Sequence, residues 1–188
     1  MDIINPEYVW SGLFKNRKKE ITILLFTFFT GIIIYFRMIS QWLTNPDGVW
    51  NGLLYKRGYE WENSLGRVGI EALNRIKGFF LYPALQTMVS LFFIAIISVL
   101  LYKIFEIEHV LWGIIIGSFL ICSPSLCSTL TYYYTADAYI LANIMAVLFV
   151  FILIQKKQIK NMVGAMILLA LSASIYQAYV GLTITLCL

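Results

Sequence analysis

The sequence predicts an all-α, polytopic membrane protein with about five transmembrane helices and an amphipathic helix in the loop after the first. Three observations carry this reading. Of 188 residues, 60% are hydrophobic and only 13% are Asp, Glu, Lys or Arg, against about 25% in a typical soluble domain. The mean hydropathy is +0.79. The apolar residues also gather into stretches long enough to cross a bilayer, which takes about 20 residues. A soluble globule of this length leaves roughly a third of its unfolded surface exposed and could not hide so much apolar area. Low charge and 16% aromatic content exclude a disordered chain.

The spans are placed at Ile21–Leu43, Phe79–Tyr102, Val110–Ser128, Ala138–Ile154 and Met162–Leu188. The first exceeds the roughly 7–15 apolar residues of a cleavable signal and has no small-residue cleavage pattern before Asn45, so it reads as a signal anchor. Ahead of it, Tyr8, Trp10 and Phe14 suit a short interfacial segment. Arg37 is the one formal charge within these stretches and is expected to snorkel outward. Pro124 is expected to kink the third span. Tyr176 and Gln177 interrupt the fifth, where Gln177 needs a neighbouring helix or a cavity to satisfy its amide. Cys122, Cys127 and Cys187 have neither disulfide nor zinc spacing and read as packing residues. The whole chain reads as one transmembrane domain. It stops inside an apolar run with no polar tail, as expected for the N-terminal part of a longer multi-spanning protein.

The net charge of +4 does not point to nucleic acid, because the basic residues flank apolar runs. With the N-terminus inside, the inner segments hold eight basic residues, among them Lys15, Arg17, Lys18, Lys19, Lys156, Lys157 and Lys160. The outer ones hold five: Lys56, Arg57, Arg67, Arg75 and Lys77. The positive-inside bias therefore puts loops 44–78 and 129–137 outside.

Loop 44–78 is too long to be a simple connection. It opens with the turn signal Asn45-Pro46-Asp47-Gly48. From Glu62 to Phe80, apolar Leu65, Val68, Ala72, Leu73 and Ile76 recur at helical spacing, with Arg67, Glu71 and Arg75 on the polar face. Asp47 reads either as a turn former or as a catalytic carboxylate at the membrane surface. Arg67 and Arg75 read either as a charge ladder with Glu71 or as a phosphate clamp. Lys56 suits anionic lipid or phosphate.

The second outer loop carries Tyr132, Tyr133 and Tyr134, then Asp137. The tyrosines suit interfacial anchoring or stacking on sugar, and Asp137 suits a helix N-terminus. Asp47 and Asp137 emerge on one side, and two convergent carboxylates are what acid–base or metal-assisted chemistry needs. His109, the sole histidine, falls at the other side.

In this order the elements resemble the bacterial O-antigen glucosyltransferases of the Gtr type II group. The carrying residues are Asp47, Tyr59, Trp61, Gly66-Arg67, Pro124, the aromatic run to Asp137, and Ser174-Ile175-Tyr176-Gln177-Ala178-Tyr179. The resemblance implies a GT-C-type helical bundle in the bacterial cytoplasmic membrane. It implies a hexose, glucose in this group, passed from a polyprenyl-phosphate carrier to a surface polysaccharide. Asp47 would act as catalytic base and Asp137 would assist, orienting the acceptor or holding a divalent cation. Arg67, Arg75 or Lys56 would meet the phosphate, and Tyr59, Trp61, Tyr133, Tyr176 and Gln177 would contact substrate. The family often has two adjacent acids after the first span, where this chain has Pro46 before a single Asp47. The competing readings are a non-enzymatic lipid-glycan transporter component and an inactive fragment of the transferase.

Overall fold

The computed structural model describes residues 17–51, 59–155 and 159–188. Among them every regular element is an α-helix and there is no strand. The helices are α1 (Arg17–Ile34), α2 (Phe36–Gln41), α3 (Pro46–Trp50), α4 (Glu60–Ser64), α5 (Val68–Ile76), α6 (Pro83–Ile104), α7 (Val110–Ile121), α8 (Pro124–Thr131), α9 (Tyr133–Gln155), α10 (Ile159–Ile175) and α11 (Ala178–Cys187). Tyr8, Trp10, Phe14, Lys15, Lys56, Arg57, Lys156 and Lys157 lie outside the described residues.

Two helices, α6 with 22 residues and α9 with 23, are each unbroken and long and apolar enough to cross a bilayer. They pack against each other at the centre of the bundle, with α1, α2 and α7 against α6, and α10 and α11 against α9. Leu91, Ile94, Leu100, Ile140, Val147 and Val150 form the shared core. The outward faces of α1, α7 and α10 carry exposed Phe29, Ile33, Phe119, Val163 and Met166, as a bundle whose solvent is lipid requires.

The first and third expected spans are bent. α1 leaves the Phe36–Trp50 segment at 56°, and α7 leaves α8 at 48°. The second bend falls where Pro124 supplies no N–H to continue α7. Ser123 caps the new helix by accepting from the Leu126 amide at 3.2 Å. The Tyr35 hydroxyl, at the first bend, donates to the Ile121 carbonyl at 2.8 Å, so a side chain from one bend satisfies the other. The fifth expected span is not one helix. It divides at Tyr176-Gln177 into α10 and α11, of 17 and 10 residues.

The helix expected from Glu62 to Phe80 is also divided. Gly66, at φ 76°, ends α4. Its amide bonds the Asn63 carbonyl, and the Arg67 amide bonds the Glu62 carbonyl at 2.8 Å. That is a Schellman cap, which glycine enters without a Cβ penalty. α5 then packs Ile70 and Asn74, both fully buried, toward α9 and α10.

Away from the loops, Glu20 and Lys103 form a buried ion pair at 2.8 Å. Both stand one residue outside the apolar stretches Ile21–Leu43 and Phe79–Tyr102. The helices run past the apolar stretches, to Arg17 and Ile104, and carry the pair into the bundle.

Close approach of α1 and α7 depends on Gly113 and Gly117, four residues apart, over which Ile23 and Thr27 sit. A Cβ at Gly117 would collide with the Thr27 side chain. Gly117→Leu should therefore destabilise the bundle by about 1–3 kcal/mol. Gly181→Ala, with nothing within 4 Å of its added Cβ, should be neutral or stabilise by up to about 1 kcal/mol through helix propensity; thermal unfolding in detergent measures both.

Candidate functional site

The bends and loops meet at one end of the bundle. Asn45 caps α3 by accepting from the Gly48 amide at 2.9 Å, and Pro46 opens the helix. α3 is fastened to the α8–α9 junction. The Thr44 hydroxyl donates to the Thr131 carbonyl at 2.8 Å, and the Tyr133 hydroxyl donates to the Gly48 carbonyl at 3.1 Å. These bonds leave Asp47 exposed beside α8.

A cavity of about 490 Å3 opens there, within the roughly 300–1,000 Å3 usual for small-molecule sites. Asp47, Ser125, Ser128, Thr129, Tyr132 and Tyr134 line it, as do Trp61, Glu62, Arg67, Tyr139, Tyr176 and Tyr179. The Arg67 guanidinium lies 4.8 Å over the Tyr176 ring, a cation–π contact. Its Nη1 donates to the Tyr139 hydroxyl at a long 3.4 Å, and its buried Nε has no partner. Tyr176 stacks on Tyr139 with ring centres 4.6 Å apart, and Tyr179 meets Tyr176 edge-on at 5.4 Å. Among the described residues Arg67 has no carboxylate partner. It is a cation held by aromatic rings and turned to a cavity, an arrangement that suits an oxyanion.

The break at Tyr176-Gln177 builds this wall. Gln177 Nε2 donates to the Leu65 carbonyl at 2.8 Å, tying the α10–α11 junction to the turn that presents Arg67. Asn63 Nδ2 donates to Glu71 Oε2 at 2.6 Å and clips α4 to α5 across the same turn. Arg75 holds the other Glu71 oxygen, also at 2.6 Å. The Asn63 bond first, and the Arg75 guanidinium next, hold the Glu71 carboxyl below the usual carboxylate range.

Of the residues singled out from sequence, the structure brings Asp47, Trp61, Arg67, Tyr132, Tyr134, Tyr176 and Tyr179 to one cavity. The others stand around it. Asp137 lies one turn into α9 and does not line the cavity; its Oδ2 accepts from Lys77 Nζ at 2.7 Å. Arg75 is exposed and paired with Glu71. Tyr133 is buried in the α3 contact, and Tyr59 is buried against Ile70, Ala138 and Ile175. Burial, then the nearby Glu62 and Asp137 carboxylates, push the Tyr59 hydroxyl up, so it stays protonated. Gln177 acts on the loop backbone. Lys56 lies outside the described residues.

Sequence reasoning missed Glu62 and the α8 hydroxyls. Glu62 is 8% exposed and is the second carboxylate lining the cavity. Its place four residues before Gly66 was the one available signal, since the Schellman turn carries it to the Arg67 side. Among the described residues no three metal-ligating side chains cluster. Asp47 and Glu62 are the carboxylates the cavity could offer a cation.

The glucosyl transferase GtrII family matches residues 53–188. The chain belongs to that family. No curated protein and no solved structure matches it significantly. Membership assigns this GtrII protein a glucosyltransferase role, and its apolar helices make it a membrane protein. The match covers both cavity walls from Trp61 onward, while Asp47 stands six residues ahead of it.

Two predictions follow from the framework of the cavity. Lys77→Met leaves the largely buried Asp137 carboxylate without its cation and should cost about 1–3 kcal/mol; Lys77→Met with Asp137→Leu should recover part of it, as thermal unfolding would show. Glu71 titrates lower folded than unfolded, so its contribution is full above the ordinary carboxylate pKa and is lost as pH falls through the depressed folded value. The stability gap between the native protein and Glu71→Gln should accordingly close on acidification, measured as the difference in Tm across a pH series.

Proposed function

We propose that this cavity transfers a hexose, glucose by family membership, from a polyprenyl-phosphate carrier to a surface polysaccharide such as O-antigen. The observation that carries the reading is Arg67, a cation with no carboxylate partner among the described residues, facing the same cavity as Asp47. A lipid-phosphate donor lies in the leaflet with its sugar at headgroup depth. Its cleavage releases a phosphate monoester whose growing charge a guanidinium can stabilise through two oxygens.

Asp47 is the base in this reading. It accepts the acceptor hydroxyl proton as that oxygen attacks C1 of the hexose. The C1–O bond to phosphate breaks and its electron pair leaves with polyprenyl phosphate at Arg67. Trp61, 72% exposed at the cavity, and Tyr176 offer faces to the sugar. Asp137, through Lys77, positions the α5–α6 connection against α9 and is assigned support of the site. Lipid phosphate is assigned to Arg75, exposed beside Glu71, and to Lys56. A divalent cation, where the donor phosphate brings one, would have Asp47 and Glu62 as its protein ligands.

The basic ends favour the bacterial cytoplasmic membrane with the cavity on its outer face, since Arg17, Lys18, Lys19 and Lys103 gather at the far end. The fold is read as a GT-C-type helical bundle.

The test is sugar transfer in membranes supplied with defined polyprenyl-phosphate hexoses. Asp47→Asn should lower turnover by about 10²–10⁴-fold with membrane insertion unchanged. Arg67→Ala should lower it by about 10²-fold. Wild-type turnover by Asp47→Asn would overturn the assignment.

A further inference from the structure

The cavity has two chemically different walls. On one side Arg67 lies among Tyr139, Tyr176 and Tyr179. On the other is α8, which presents Ser125, Ser128 and Thr129, with Tyr132 just past its end. The i, i+3, i+4 spacing of the three puts them on one helix face, while Leu126 and Leu130 bury the opposite face in the core. No residue of α8 is charged. The Thr129 hydroxyl donates to the Ser125 carbonyl at 2.9 Å, which leaves its lone pairs as acceptors toward the cavity. The Ser125 and Ser128 hydroxyls are exposed and make no hydrogen bond with any described residue. A neutral helix face with free donors and acceptors suits a neutral ligand rich in hydroxyls, and suits phosphate less well than the Arg67 wall does.

α8 is also the element to which Asp47 is fastened. The Asn45 amide and the Thr44 hydroxyl both bond the Thr131 carbonyl at its last turn. Asp47 and the α8 hydroxyls therefore line the one cavity from adjoining segments.

We propose that the α8 face is the acceptor-sugar subsite, with Ser125 and Ser128 bonding ring hydroxyls of the acceptor and Tyr132 bordering it at the C-terminal end. The inference rests on the assignment of Arg67 to phosphate and Asp47 to the acceptor hydroxyl. It adds which part of the substrate pair each wall takes and names the residues that select the acceptor. A site built to bond hydroxyls rejects ligands that lack them.

Two measurements on the full chain in nanodiscs test it. In transfer assays, S125A/S128A should raise the acceptor KM by about tenfold or more, the effect of losing two hydrogen bonds to neutral partners. The KM for polyprenyl-phosphate glucose should stay unchanged. S125T/S128T, which keeps the hydroxyls, should retain acceptor KM within a few-fold. A change in donor KM with acceptor KM unmoved, or no change in either, overturns the proposal.

Binding is read separately by saturation-transfer NMR with methyl glucoside, galactoside and rhamnoside, which carry no phosphate. At least one should bind saturably, weaken by about tenfold in S125A/S128A, and persist in R67A. Absence of binding by all three, indifference to S125A/S128A, or loss in R67A overturns it. A wild-type protein inactive with every polyprenyl-phosphate donor would sink the donor assignment alone, and the binding measurement would still decide the role of α8. Alanine is the better helix former at both exposed positions, so the variant keeps α8.

Discussion

A helix that breaks inside an apolar bundle frees peptide groups that lipid cannot satisfy, so each break needs a partner within the protein. This constraint organises the molecule. The α7 break frees the Ile121 carbonyl, and the Tyr35 hydroxyl from the α1 bend takes it. The end of α8 frees the Thr131 carbonyl, and Thr44 and Asn45 take it. The Leu65 carbonyl, at the end of α4, is taken by Gln177 from the break after α10. Three such carbonyls are closed from another discontinuity, and the two closures at Thr131 and Leu65 flank the cavity.

The functional side chains follow from those closures. Thr44 and Asn45 hold α3 against α8, so Asp47 stands beside the α8 hydroxyls. Gln177 holds the Gly66 turn against the α10–α11 junction, so Arg67 lies over Tyr176. Straight helices would have given a tighter bundle with no such opening. The two unbroken spans, α6 and α9, form the centre against which the broken elements pack.

The far end of the bundle is built differently. There, α1 and α7 approach over Gly113 and Gly117, Thr27 meets Ser98 at 3.2 Å, and Glu20 pairs with Lys103. The desolvation cost of a buried ion pair offsets much of its attraction, whereas removing one partner strands a buried charge. The pair's position at the end away from the cavity fits a fixed base under a more open, solvent-facing end.

Much of this was legible in the sequence because composition and local chemistry act without tertiary partners. Apolar stretches of span length, the proline at 124, the Asn45-Pro46-Asp47-Gly48 turn and the interruption at Tyr176-Gln177 each state a local free-energy preference. So do the motifs that resemble the family later matched over residues 53–188. What only the tertiary structure decided was pairing. Asp137 sits on the same side as Asp47, but Lys77 reaches it first, and Glu62 is the second carboxylate at the cavity. Arg67 and Arg75 share one polar periodicity, yet Glu71 takes Arg75 and a left-handed glycine turns Arg67 inward. Sequence spacing fixes which side chains share a helix face. Which partner wins each of them depends on distances between segments far apart in the chain, and those exist only once the helices have packed.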